Sequence, residues 1–184
     1  MDRTVAWPGF LADLSDAGRE FVEYWRAAKG DAELLERSAF DPMRIPRLLP
    51  GIQLVDVRVE GRPVERDDVA DHRVEFVYRV VGTSEAGLRD HDPTGRLVEN
   101  GFFGGSAARV RANYLAVFRS RRPLADFELV VTRSRYPVQD VSVFVPIGAP
   151  GGPVTQILVF SEQTPVVGGA LPRGGPTGGS DTAS

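Results

Sequence analysis

His91-Asp92, beside Arg89 and Asp90, could form an acid–base cluster. An imidazole next to carboxylates titrates near neutral pH and could pass a proton. The same run also reads as a solvated loop in which Asp92-Pro93 opens a turn. His72 next to Asp71 is another local pair in a loop, and nothing is spaced as a metal site. Gly101-Phe102-Phe103-Gly104-Gly105 precedes a helix as a phosphate loop would, but it lacks the glycine spacing of such loops and no lysine follows. The helix N-terminus at Ser106 could still hold an anion. Loop flexibility and close backbone approach account for the glycines equally well. Arg109, Arg111, Arg119, Arg121 and Arg122 gather positive charge on one helix and its end. A nucleotide or an acidic partner could use that charge, and so could the helix dipole on a solvated face.

The aromatic residues suggest binding rather than bond-making. Phe76, Tyr78, Tyr114, Phe118, Phe144 and Phe160 fall on strands and on the long helix, with Phe102 and Phe103 in the loop before it. Together they could line an apolar cavity for a small apolar metabolite. They could also simply fill a close-packed core. Tyr78 and Tyr114 are the informative pair, because a buried hydroxyl needs a partner, whether ligand, backbone carbonyl or water. Phe21 and Trp25 form a separate stripe on the first helix. That stripe could cover the chain's own sheet, meet a partner protein, or pack on the same helix of a second subunit as a homodimer interface.

Composition narrows the field mainly by exclusion. The chain has no cysteine, which removes disulfides, thiolate metal sites, Fe–S clusters and a cysteine nucleophile. Its 22 basic and 25 acidic residues give a net charge of -3, so no broad cationic surface for nucleic acid is expected. No run of 18 apolar residues occurs, and Met1 to Phe10 lacks the pattern of a signal peptide, so a cytoplasmic protein without a membrane span is expected. A length of 184 residues fits one domain.

Periodicity supplies the elements that must position these side chains. Residues 1–14 read as an N-terminal extension. A helix is expected over 16–29, capped by Ser15 or Asp16 and stopped at Gly30. Asp41-Pro42 suits a short helical turn, which Pro50-Gly51 ends. The period then becomes two over Ile52 to Val59 and Arg73 to Val81, the latter with Val74, Phe76, Tyr78 and Val80 on one face. Gly82 to Gly105 is glycine-rich, with short helical turns expected and low local stability, which makes it the natural switch. A long helix over Ser106 to Arg121 precedes strands at Asp126–Arg135, Val138–Ile147 and Val154–Glu162. The sum is a single domain over 15–163 and a flexible Gly/Pro-rich tail over 164–184. Short links favour antiparallel pairing, hence a two-layer α+β fold with a five-stranded antiparallel sheet, helices on one face and the flanking N-terminal helix.

Several short motifs follow this order: Tyr24-Trp25, Asp41-Pro42, Ile45-Pro46, Leu48-Leu49-Pro50, Leu54-Val55-Asp56-Val57, the run Phe76 to Thr83, and Asp92-Pro93-Thr94-Gly95. With the Gly82-Thr83 turn after a strand and Thr94-Gly95 before the long helix, the stretch from Phe21 to Glu162 resembles a PAS domain, in particular small free-standing bacterial PAS proteins. The resemblance implies a sensory or protein-interaction module, a sheet cupped over helices with a small cavity between. It implies no cofactor that can be named. The cysteine needed for a flavin adduct or a cinnamoyl chromophore is absent, and Ser106 to Arg121 carries no histidine for haem. What it leaves is a sensor of a small ligand or of a signalling partner, without catalysis and with its output through another polypeptide. A ligand-free interaction adaptor is the alternative. A small α+β enzyme with Asp or Tyr as acid–base stands behind it, because no nucleophile–base–orienter set is visible.

Overall fold

The computed structural model describes residues 2–65, 74–89, 91–131 and 136–166. Asp71, His72, Arg73, Asp90, the end of the strand expected up to Arg135 and the tail from 167 onward lie outside them.

Helix α1 (Asp16–Lys29) starts where Ser15 Oγ accepts the Gly18 N–H at 3.0 Å, and ends at Gly30, whose φ of 55° is in the left-handed region. The turn at Pro42–Arg44 is capped by Asp41, whose carboxylate accepts the Met43 N–H. Tyr24 fastens this turn to α1: its hydroxyl accepts the Asp41 N–H at 2.7 Å.

Among the described residues the sheet has seven strands, not five: β1 (Arg3–Ala6), β2 (Ile52–Val59), β3 (Arg62–Pro63), β4 (Val74–Val81), β5 (Leu124–Val131), β6 (Pro137–Ile147) and β7 (Gln156–Pro165). Their order is β1-β5-β6-β7-β2-β3, with β4 also on β2, and every strand pair is antiparallel. The two extra strands are short and polar. They carry no alternating pattern of their own and exist because a neighbour offers a free edge. Arg3–Ala6 therefore form an edge strand of the sheet, and Phe10 beyond them is completely buried.

Both faces of the sheet are covered, which makes three layers. Phe21, Val22, Trp25, Ala125, Val143 and Phe160 belong to the core beneath α1. Val57, Phe76, Tyr78, Tyr114, Phe144 and Val159 belong to the core on the opposite face, beneath α4 (Ala107–Ser120). The sequence expects α1 as a flank and Phe21 and Trp25 as a dimer seam. The structure instead turns both residues inward, 0% and 3% exposed, against the chain's own sheet and N-terminal segment. The rings of Phe21 and Phe160 lie 5.5 Å apart, and those of Trp25 and Trp7 5.8 Å. Burying side chains of this size stabilises by about 1.5–3 kcal/mol each. A second correction concerns β4. Its register on β2 shifts between Leu54 and Val55, a bulge that pairs Val80 with Leu54 and leaves it 51% exposed, off the Phe76–Tyr78 face.

Candidate functional site

The site is built on one hairpin. In the β6–β7 register Asp140 faces Gln163, Ser142 faces Ser161, and Phe144 faces Val159. Directly opposite residues share a face. One end of this hairpin is therefore polar and the next step apolar, on the same side of the sheet. Gln53 of β2 joins the polar end, donating to Ser161 Oγ at 3.0 Å.

Helices α2 (Thr83–Arg89) and α3 (Val98–Gly101) close the site from above. Glu85 and Arg89 lie one turn apart on α2 and form an ion pair of 2.9 Å, both side chains at most 5% exposed. Arg89 also donates to the Glu85 carbonyl and, through Nε, to the Gly101 carbonyl, each at 2.6 Å, and to Gln53 Oε1 at 3.4 Å. Glu85 in turn accepts from Gln53 at 3.0 Å and from Gln163 at 3.3 Å. Ser142 and Ser161 share a bond of 2.8 Å, Ser142 donates to Asp140 at 3.3 Å, and the Gln163 amide donates to Asp140. Gln53, Ser161, Ser142, Asp140, Gln163 and Glu85 thus close a ring of hydrogen bonds. One amide, that of Gln163, bridges two carboxylates.

This ring borders a cavity of about 50 Å³ whose other walls include Tyr78, Tyr114 and Phe144, with Phe102 and Phe103 from the loop after α3. Tyr114 packs edge-on against Phe144, centroids 5.2 Å apart, and lies 5.3 Å from Phe76. Burial pushes the Tyr78 hydroxyl up and that of Tyr114 well up from the ordinary tyrosine value. Of the eight aromatics expected around a cavity, the structure brings five to this one. Phe76 sits behind Tyr114, and Phe118 packs at the margin of the same core. Phe160 does not belong here. The register pairs it with Val143 and puts it on the α1 face, because Phe144 and Phe160 are not opposite each other. The lining is also not the apolar one expected: Gln53, Glu85, Arg89, Asp140, Ser142 and Ser161 all contribute.

No family model matches the chain, and no curated protein does. Among solved structures it is similar to an RNA-binding light-oxygen-voltage receptor, at 13% identity and a TM-score of 0.43 over 88% of this chain. It spans 38% of that receptor's chain.

The other sequence candidates take structural positions. His91 Nδ1 lies 2.8 Å from the Arg89 carbonyl oxygen, while Asp92 is exposed and caps a turn by accepting from the Thr94 N–H and hydroxyl. Those two bonds hold the Asp92 carboxyl below its usual value. Arg89 itself is turned inward, away from both. Ser106 caps its own helix by accepting the Arg109 N–H at 3.2 Å. Arg109 forms a two-pronged bond to Asp126, Arg111 reaches Glu99 at 2.6 Å, and Arg121 grips Glu33 at 2.7 and 2.9 Å. These three arginines tie α4 and its end to neighbouring elements. Among the described residues no helix is long and apolar enough to cross a membrane, and no three acidic or histidine side chains group as a metal site would.

Asp140 gives the ring a pH dependence. Burial pushes its carboxyl up to about 7, the Gln163 amide pulls it partly back, and the negative charge of Glu85 pushes it up again. A carboxyl raised in the folded state holds a proton that the unfolded chain has already released. Stability is then highest below the unfolded value and falls as pH rises toward about 7. Asp140→Asn, which keeps an acceptor for Gln163, is expected to raise the melting temperature at pH 8 and to leave it nearly unchanged at pH 4. The gain at pH 8 should reach up to about 4 kcal/mol. Thermal melts at the two pH values check this, and equal shifts at both would refute it.

Proposed function

We propose that this chain is a PAS-like sensory or signalling module. It binds a small polar ligand in the cavity between α2, α3, α4 and the sheet, and has no catalytic activity of its own. The carrying observation is the closed polar ring around that cavity. Buried charges and amides stabilise a core less than well-packed apolar side chains of the same size would, so a ring of them beside open space favours recognition over packing. The antiparallel sheet cupped over helices supports the sequence resemblance. Arg89 links ring to cover, since it holds α2 and the end of α3 to the sheet at once. A ligand that competes for Gln53 or Glu85 loosens that link and changes what 83–105 presents to a partner.

The second reading is a ligand-free interaction adaptor, and the size of the cavity favours it. About 50 Å³ is room for only three or four water-sized groups. Native mass spectrometry of the freshly purified chain and melts against a panel of small polar metabolites separate the two. Retained mass, or a ligand-dependent rise that Ser161→Val abolishes, is the expected result. A clean protein with no shift across the panel leaves the adaptor.

A further inference from the structure

The polar ring has an uneven balance of charge and of hydrogen-bonding groups. Two carboxylates, Glu85 and Asp140, line the cavity, and Arg89 is the one cation among its described lining residues. Arg89 is spent on Glu85, Gly101 and Gln53. Asp140 therefore receives only neutral donors, Ser142 and Gln163. The donors of Gln53 are used on Glu85 and Ser161. Among its charged, amide and serine groups the cavity is thus rich in acceptors and poor in free donors. Tyr114 adds an independent sign: it is 3% exposed and lines the cavity, and its hydroxyl has no hydrogen-bond partner among the described residues. The remaining walls are the rings of Tyr78, Phe102, Phe103 and Phe144 with Val110 and Val159, and the face of such a ring attracts a cation.

We infer that the cavity is a site for a small primary ammonium cation, held by the Asp140 carboxylate and the Tyr114 hydroxyl and walled by Tyr78, Phe144 and the Phe102-Phe103 loop. The inference rests on the ligand-binding reading above and names its ligand class. The volume admits about three or four non-hydrogen atoms, the scale of ethylammonium. An anion would meet two carboxylates and a committed guanidinium. A neutral alcohol would leave the ionised Asp140 without a counter-charge.

Binding is expected to need ionised Asp140, which is faced by Ser142 and Gln163 and repelled by Glu85 and Glu128. With its carboxyl at about 7, the affinity should fall about tenfold from pH 8 to pH 6. The test is calorimetry and thermal melts of the full chain with ethylammonium, propanol and formate, using sodium chloride as the ionic-strength control. Ethylammonium alone should bind and stabilise, with that pH profile, and Asp140→Asn should abolish the effect. Tyr114→Phe, which keeps the ring in place, should weaken it at least fivefold and serves if the Asp140 variant does not fold. Binding of propanol or formate but not ethylammonium overturns the ammonium assignment and leaves the ligand-binding reading standing. Silence from all three probes overturns the assignment and, together with a clean native mass spectrum, the ligand-binding reading too. Ethylammonium binding that is flat in pH and unchanged in both variants places the cation elsewhere and overturns the assignment.

Discussion

Arg89→Met is expected to cost about 3–5 kcal/mol and to lower the melting temperature by roughly 10 °C or more. The substitution keeps an unbranched apolar stem in place of the arginine's own, so the packing lost is mainly that of the guanidinium. What is lost is the cation paired with Glu85 among the described residues, and the carboxylate stays buried with two amides for company. Gly101 also loses the donor to its carbonyl. The origin of the effect can be isolated. Adding Glu85→Gln to Arg89→Met removes the stranded charge and should recover about half of the loss. Denaturant unfolding of the parent, both single variants and the double variant measures the coupling. If Arg89→Met melts within a degree or two of the parent, the ion pair is not holding the cover on the sheet.

Gly82→Ala should be comparably damaging for a steric reason. A Cβ there would come closer than 3.0 Å to the carbonyl oxygens of Leu49 and Pro50 and to the Pro50 carbonyl carbon. All three are backbone atoms, which cannot rotate away. The Gly82 N–H also donates to the Ile52 carbonyl at 2.7 Å, so the two segments cannot separate without losing that bond. About 3 kcal/mol is a reasonable loss for forced backbone movement at a packed contact. Gly87→Ala in α2, the helix that follows, is the control: nothing lies within 4 Å of its added Cβ, and the change should be neutral or stabilising by about 0.5–1 kcal/mol. Parallel urea titrations of the two variants settle the matter, and similar midpoints would remove the steric account.

Much of the fold was legible because local rules and tertiary packing agree. Ser15 and Gly30 bracket α1, Ser106 caps α4, and the runs over 52–59, 74–81 and 138–147 mark strands, buried continuously at Ile52–Val55, Phe76–Tyr78 and Val143–Ile147 because both faces of the sheet are covered. The site was legible only in half. Tyr78, Tyr114, Phe102, Phe103 and Phe144 are conspicuous as aromatics. Gln53, Ser142, Ser161 and Gln163 are not, since single polar residues alternating with apolar ones look like the solvent side of a strand. Their burial comes from register: once Ser142 faces Ser161, Asp140 must face Gln163. That pairing depends on the loop 148–155, whose length alone does not fix it. The bulge in β4 was hidden for a related reason. The expected alternation ran straight through Val80, and only the pairing with β2 shows that it breaks there.

β1 has a consequence for handling the protein. Its four residues lie along β5 at the end of the sheet, and Asp2 also accepts the Leu129 N–H at 2.9 Å. A shortened version starting at α1 would keep every group that lines the cavity. It would also strip a row of amides from β5, beside Leu129 and Val131, which are already half exposed. Bare edges of that kind recruit strands from neighbouring molecules. Such a trimmed protein would also lose Phe10 and Leu14 from the core beneath α1 and would clump on concentration, so the first few residues act as a guard against self-templating.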